Sequence, residues 1–458
     1  MATMGAASGP DSPLRVVVAG GGVAGAEALL ALRELAGDRV SLTLVSPGDA
    51  VVLPALSVAE PFALGHAEHV PLAPLLAHVD AERVPASLSA VEPQKRRIRL
   101  DDGAAVEFDA LVLTTGAQPV AAVEGATTWW PRGDPEAFGG LLRDLEEGYV
   151  TRVAFVIPPG AVWPLPLYEL ALMTAREVQG MGITDAELTV ITPEAVPLTL
   201  FGPQAAAALR DELQRAGVAL EVASVARVQR HEHLEILLRP SERRLAVDRV
   251  VALPAVEGPR IPGTAQDVAG FIEVEHAGRM RGCDRIWAAG DAVAYPVKFG
   301  GLATQQADIV AADIAAWAGA SVAAPSESLH LTGVLMTGGR PRSLGDTAAD
   351  TAAGAESARG GHAPLWRPEA KVFGAYLSPY LAAGGEPPVT AGTGDGVAVD
   401  EDLPAPSGAR TGSFHALWRA DQGEAEHLRR LGFEMRAYEA RHRQAERWLR
   451  EHGQLRRS

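Results

Sequence analysis

The stretch that decides the fold is LRVVVAGGGVAGAEALLALREL, residues 14–35. A short run of β-branched residues enters a glycine cluster, and the cluster opens directly onto an Ala/Leu-rich segment. That order is a buried strand, a tight turn and a helix. Gly20, Gly22 and Gly25 have the spacing GxGxxG. Gly20 permits the turn, Gly22 lets a pyrophosphate approach the backbone, and Gly25 permits close helix–strand packing. The helix N-terminus adds free N–H groups and the positive end of its dipole. In this strand–turn–helix setting the glycines are a dinucleotide cradle rather than an ordinary βα turn.

RVSLTLVSP (39–47) follows as a second strand. The acidic ribose ligand expected after it falls at Ser46, whose hydroxyl binds a ribose more weakly than a carboxylate does; Asp49, three residues on, is the available substitute. Residues 84–113 alternate short strand patterns around turns, an antiparallel insertion that returns to the main sheet. From Arg152 the pattern repeats: RVAFVIPPG, a helix near 167–180, then AELTVITPEAVPLTLFG. LTLVSP and LTVITP echo each other, so two doubly wound halves stand in tandem, the second nested in the first. A helix at 203–216 and strands to 254 complete the second half. CDRIWAAGDA then runs back to the first, followed by a helix over about 301–317.

Beyond Pro325 the texture changes. Residues 328–344 read as a hairpin, 345–362 are rich in Gly, Ala and Asp, and PLWRPEAKVFGAYLSPYLA (364–382) is aromatic. Tyr376 and Tyr380, four apart, are expected on one helix face, and with Trp366 and Phe373 they are candidates to cover a cofactor or to form plain core. The expected organisation is a loose leader at 1–13, a discontinuous first domain at 14–120 and 265–322, and a second at 121–264. A covering or interface region at 323–383, a linker at 384–412 and a helical tail at 413–458 follow. Leu428, Leu431, Met435, Tyr438, His442, Ala445 and Leu449 mark a seam in that tail, for self-association as a homodimer or for packing on the body.

The bulk numbers narrow the function. The 458 residues carry a net charge of −16, which argues against nucleic acid and against anionic membrane surfaces. No apolar run reaches membrane-spanning length and no secretory leader is evident, so the expected location is cytoplasmic. One cysteine, Cys283, excludes a disulfide framework, a cysteine zinc site or a CxxC pair within one chain. Its plain reading is a small buried residue. HEHLE (231–235) has two histidines but no third ligand, and reads as a solvated hairpin edge; no metal site is expected.

Two further motifs select the cofactor. LVLTTGAQP (111–119) and RIWAAGDAVAYPVKFGGLATQQAD (285–308) resemble the second and third FAD fingerprints of the two-dinucleotide-binding flavoproteins. The resemblance implies FAD held by Thr115, Gly116, Gly290 and Asp291 together with the first cradle, with Asp291 on the ribityl or phosphate side. It also implies that the helix start at Gly301–Leu302 points at the flavin N1/C2=O region, where a helix N-terminus stabilises negative charge. Lys298 lies just before that helix and either adds a full charge there or is a surface lysine. The fold class implied is α/β, with two Rossmann-like FAD/NAD(P)-binding domains, the second nested in the first, plus a smaller C-terminal region.

At the second turn, VIPPGAVWPLPLYELA (156–171), the glycines are almost gone. Prolines remove N–H donors, Trp163 is bulky where a pyrophosphate should approach, and Thr192 occupies the selector position after the next strand. The turn resembles sulfide:quinone oxidoreductases and related flavocytochrome subunits, where a proline-rich turn ends in a Tyr-Glu pair matched by Tyr168 and Glu169. Type II NADH dehydrogenases are similar in body plan and share a glutamate matched by Glu169, but keep the glycines. An actinobacterial group of FAD-dependent oxidoreductases is similar in overall order. Sulfide oxidation in that branch uses a cysteine pair, which this chain lacks.

What remains is direct flavin chemistry, with electrons passing to a quinone or small acceptor. Tyr168, Glu169 and Lys298 are the catalytic candidates, with Trp163 and Pro54 beside the flavin. Glu169 is a proton acceptor or orienting group, or else a first-turn glutamate complementing its helix dipole. Trp163 and Tyr168 are substrate walls or packing between domains. Two alternatives stand: an NAD(P)H-dependent reductase with an unorthodox second loop, and a non-catalytic flavin-binding interaction protein.

Overall fold

The computed structural model describes residues 12–133, 135–230, 233–323, 329, 331–345, 366–367 and 372–384. The linker, the tail and its seam, and His231 of HEHLE lie outside these residues.

β1 (Leu14–Ala19) is the middle strand of a five-stranded parallel sheet, between β2 (Val40–Val45) and the strand Ala110–Leu113. Ala81–Val84 and Ile286–Ala288 form its two edges. Val16, Val17, Val18 and Ala19 are all buried, which is why β1 shows no polar alternation. The segment between Ala81–Val84 and Ala110–Leu113 is a three-stranded antiparallel sheet, as the sequence pattern predicts. α1 (Val23–Ala36) and α6 (Gly300–Trp317) pack closely on each other through small residues, among them Ala28, Ala303, Ala307 and Ala311. α2 (Leu72–His78) joins the same core.

The second sheet has the order Thr127–Thr128, Arg249–Ala252, Arg152–Val156, Glu187–Ile191, Ala219–Glu221, again all parallel. α3 (Pro135–Glu146), α4 (Leu165–Gly180) and α5 (Gly202–Arg215) bury their apolar faces in one core with it. The fold is therefore the mixed α/β one expected, with two Rossmann-like sheets. The predicted hairpin forms as antiparallel strands Thr332–Leu335 and Arg342–Gly345. Its Gly333 abuts Phe201 of the second domain.

Tyr376 and Tyr380 lie one helical turn apart on the same core, with Tyr380 N–H donating to Tyr376 O (3.1 Å). The short helix is Leu377–Ala382, with Tyr376 as its N-cap residue. The cause is Glu27 of α1, whose carboxylate accepts the N–H of Tyr376 (2.8 Å) and of Leu377 (2.7 Å), starting the helix after Tyr376. Tyr380 packs near His78 of α2, with ring centroids 5.5 Å apart. Both tyrosines belong to the core formed by α1, α2 and α6.

Glu27 is fully buried and hydrogen-bonded to Asp308 of α6. Burial first, and then the Glu27 charge, push the Asp308 carboxyl up to about 9. The pair therefore keeps a proton at neutral pH that the unfolded chain, titrating near 4, releases. The folded state binds more protons between those values, so this pair's contribution to stability falls as pH rises from about 4 to about 9. Asp308→Asn fixes a neutral partner. It is expected to raise the melting temperature at pH 8 by roughly 2–5 °C, with little gain at pH 4–5, in a thermal scan across pH.

Candidate functional site

The first cradle closes around Thr114. Its hydroxyl donates to the carbonyls of Gly20 (2.9 Å) and Ala19 (3.2 Å), and Gly20 N–H donates to Val45 O (2.9 Å). Gly20 has φ +123°, and a side chain there would meet Thr114 O at 2.3 Å; one at Gly25 would meet Gly20 O at 1.9 Å. Gly22, at the cap of α1, faces open space. α1 has no acidic residue in its first turn and no capping side chain, so its first N–H groups are placed to receive an anion. Ser46 is buried over this turn, with its Oγ 3.3 Å from Gly48 O. Asp49 is exposed.

The third motif meets the first. Gly290 N–H donates to Gln306 Oε1 of α6 (2.8 Å), and a Cβ on Gly290 would press on Ala24 of α1 at 3.0 Å. Asp291 follows in a short 3-10 turn; burial raises its pKa, while Lys298 and Arg132 pull it down. Thr115 is exposed and Gly116, at φ +74°, turns the chain out of the strand. Gly301 and Leu302 lie in the first turn of α6, which also has neither capping side chain nor acidic residue. Lys298 is 7% exposed, not a surface lysine. Its Nζ donates to Val293 O and lies 3.9 Å from the Phe271 ring centroid. An open cradle at Gly22 and two uncapped helix N-termini thus stand in one domain, with the Lys298 charge acting on the buried Asp291.

The second turn is a tight one, with Ala161 N–H donating to Pro158 O (3.1 Å). Pro164 caps α4 and Pro166 occupies its first turn, so donors are missing where a pyrophosphate would sit. Trp163 stacks on Phe299, centroids 4.3 Å apart, and meets Phe201 edge-on at 5.6 Å. Lys298 N–H donates to Val162 O (3.3 Å), tying the turn to the first domain. Tyr168 is fully buried and its hydroxyl donates to Glu194, which also accepts from Thr192 Oγ1 (3.0 Å) and Leu198 N–H (2.9 Å). Burial raises the Glu194 pKa against these bonds. Glu194, two residues beyond the selector position, is the acidic group that sequence reasoning missed, and it points its acceptors at the protein. Glu169 is buried beyond the first turn of α4, so the dipole reading gives way: its Oε1 accepts Met336 N–H (2.7 Å) from the hairpin. Cys283 sits half-buried in the turn before Ile286–Ala288 rather than on the strand.

The geometry suits an FAD-dependent oxidoreductase. Residues 14–152 and 169–319 match the pyridine nucleotide-disulphide oxidoreductase family, and the chain belongs to it. The match breaks at 153–168, the strand and turn just described.

The ferredoxin–NAD(+) reductase component of the biphenyl dioxygenase system of Paraburkholderia xenovorans (strain LB400) is 28% identical over 279 residues, 59% of this chain and 65% of that protein. The sulfide-quinone reductase of Aquifex aeolicus (strain VF5) is 31% identical over 191 residues, 39% of this chain and 43% of that one. The chain thus spans less than two thirds of either relative. The solved sulfide:quinone oxidoreductase of Aquifex aeolicus shares the fold with a TM-score of 0.61 at 21% identity, covering 72% of this chain and 83% of its own. Among the described residues no helix is long and apolar enough to cross a membrane, and no cluster of three or more acidic, His or Cys side chains is placed for a metal.

Proposed function

We propose that this chain carries out direct flavin oxidation–reduction without a redox disulfide, passing electrons to a quinone or small acceptor, and that its second half no longer takes a nicotinamide. The carrying observation is the rebuilt second turn: Trp163 and the prolines fill the pyrophosphate path, and Tyr168 and Thr192 occupy Glu194. A single cysteine supports the absence of a disulfide step within one chain. FAD supplies the hydride and electron chemistry when bound. Gly22 opens the pyrophosphate site that the turn at Gly20 and the close packing at Gly25 shape, with Ser46, Thr115, Gly116, Gly290 and Asp291 along the cofactor. Gly301 and Leu302 present the α6 N-terminus, and Lys298 adds positive charge. Glu169 orients the hairpin through Met336, and Tyr168 locks α4 to Glu194; both act as positioning residues.

The test is an anaerobic absorbance titration of the purified protein. NADH and NADPH are expected to leave the flavin band intact while dithionite bleaches it. Bleaching by either nucleotide within seconds favours the second reading, an NAD(P)H-dependent reductase serving an iron–sulfur acceptor, which the 279-residue similarity to a ferredoxin–NAD(+) reductase supports.

A further inference from the structure

The adenosine end of the first cradle lacks its acidic ligand, and a different group stands there. β2 ends at Val45, and the loop Ser46–Pro47–Gly48 lies beside the glycine turn, since a Cβ on Gly21 would strike Ser46 Oγ at 2.5 Å. Ser46 N–H is tied to Val84 O (3.1 Å) of the edge strand. One residue earlier on that strand, Arg83 Nη2 donates to Gly48 O (2.8 Å), Pro47 O (3.1 Å) and Ser46 O (3.5 Å). Its Nε is buried with no acceptor. No ligand atom can reach that Nε, so the residue acts through Nη2, a charged donor of the stronger kind of hydrogen bond.

We infer that Arg83 is the positioning residue for the adenosine half of FAD: through Nη2 its guanidinium braces the 46–48 loop against which the ribose would sit. The inference rests on FAD being the cofactor. A loop usually organised around an acceptor carboxylate is organised here around a cationic donor, so recognition of the ribose passes from an acidic side chain to Ser46 Oγ and the loop backbone that Arg83 holds in place. FMN, which lacks the adenosine half, does not use this contact.

The experiment measures FAD, ADP and FMN affinities by flavin fluorescence and ADP competition, with the melting temperature of the apoprotein alongside. Arg83→Ala is expected to weaken FAD and ADP by roughly ten- to a hundred-fold while leaving FMN affinity unchanged, with a fall of only about 2–4 °C in apoprotein melting temperature for the lost loop bonds. Arg83→Lys is expected to recover only part, because the shorter lysine side chain does not carry its ammonium to the place of Nη2, from which all three carbonyls are met. Wild-type FAD affinity in Arg83→Ala, or equal losses for FAD and FMN, overturns the inference. A parent protein that binds neither FAD nor ADP overturns the cofactor assignment itself, which separates the two failures.

Discussion

Replacing Gly22 by valine is expected to give a protein that folds as the parent does and carries no flavin. Gly22 has φ −87° and ψ −168°, extended backbone that any residue adopts, and no heavy atom lies within 4 Å of a Cβ built there. The fold therefore asks nothing of this glycine. The space in front of it is the space a pyrophosphate needs against the α1 N–H groups, and a branched side chain occupies it. The expected loss of FAD affinity is at least about a hundred-fold, equivalent to ~3 kcal/mol. Gly25→Val is the contrasting case. A Cβ there meets Gly20 O at 1.9 Å, and that carbonyl cannot retreat while it accepts the Thr114 hydroxyl at 2.9 Å. Gly25→Val should lose fold stability together with flavin, by several kcal/mol or roughly 10 °C and more of melting temperature. Flavin absorbance and a thermal scan on both variants decide it. A Gly22→Val protein that stays yellow would place the cofactor elsewhere.

The two glycines also mark how far sequence carries. Spacing within one βα unit is local, so Gly20, Gly22 and Gly25 are legible from the order of residues alone. The echo LTLVSP/LTVITP likewise exposes the nested second sheet, because parallel strands buried on both faces write themselves as apolar runs. Thr114 is illegible: it sits beside the Thr115 that the motif highlights, and only the strand pairing shows that the buried threonine locks the turn while Thr115 faces solvent. Arg83 is 37 residues from Ser46 and meets it through sheet order alone. Glu194 escapes a search at the selector position because it lies two residues downstream, and its hydrogen-bond partner Tyr168 lies 26 residues upstream. Glu169 misleads for the opposite reason. Counting from the proline turn suggests a first-turn glutamate, but α4 begins at Leu165 and the carboxylate is claimed by a hairpin 167 residues away. Local spacing is readable; partners chosen by tertiary packing are not.

Lys298→Met is expected to leave FAD bound and make it harder to reduce. Only three lysines occur in the chain, and this one is buried beside Asp291, two residues before the start of α6. Its ammonium and the α6 N-terminus put positive charge on the same side of the site, where two-electron reduction of a flavin adds negative charge. Methionine preserves the length and apolar stem while removing the charge. Asp291, already raised by burial, then loses its first opposing cation and is pushed further up, and the negative charge lost with its proton uptake offsets part of the missing positive charge. Losing about 1.4–3 kcal/mol of stabilisation corresponds to a fall of roughly 30–60 mV in the two-electron potential of the bound flavin. It also corresponds to about a tenfold or larger loss in turnover limited by flavin reduction. The cradle on α1 is untouched, so FAD affinity should change only a few-fold, and losing the Lys298 bond to Val293 O, which keeps the Tyr295 N–H (2.7 Å), should cost about 1 kcal/mol of stability or less. Lys298→Arg retains the charge and should recover most of the potential if it fits over Phe271. A Lys298→Met potential equal to the parent's would mean that the ammonium serves only Val293 and Phe271, as packing between the Asp291 turn and α6, and that the helix N-terminus acts on the flavin alone.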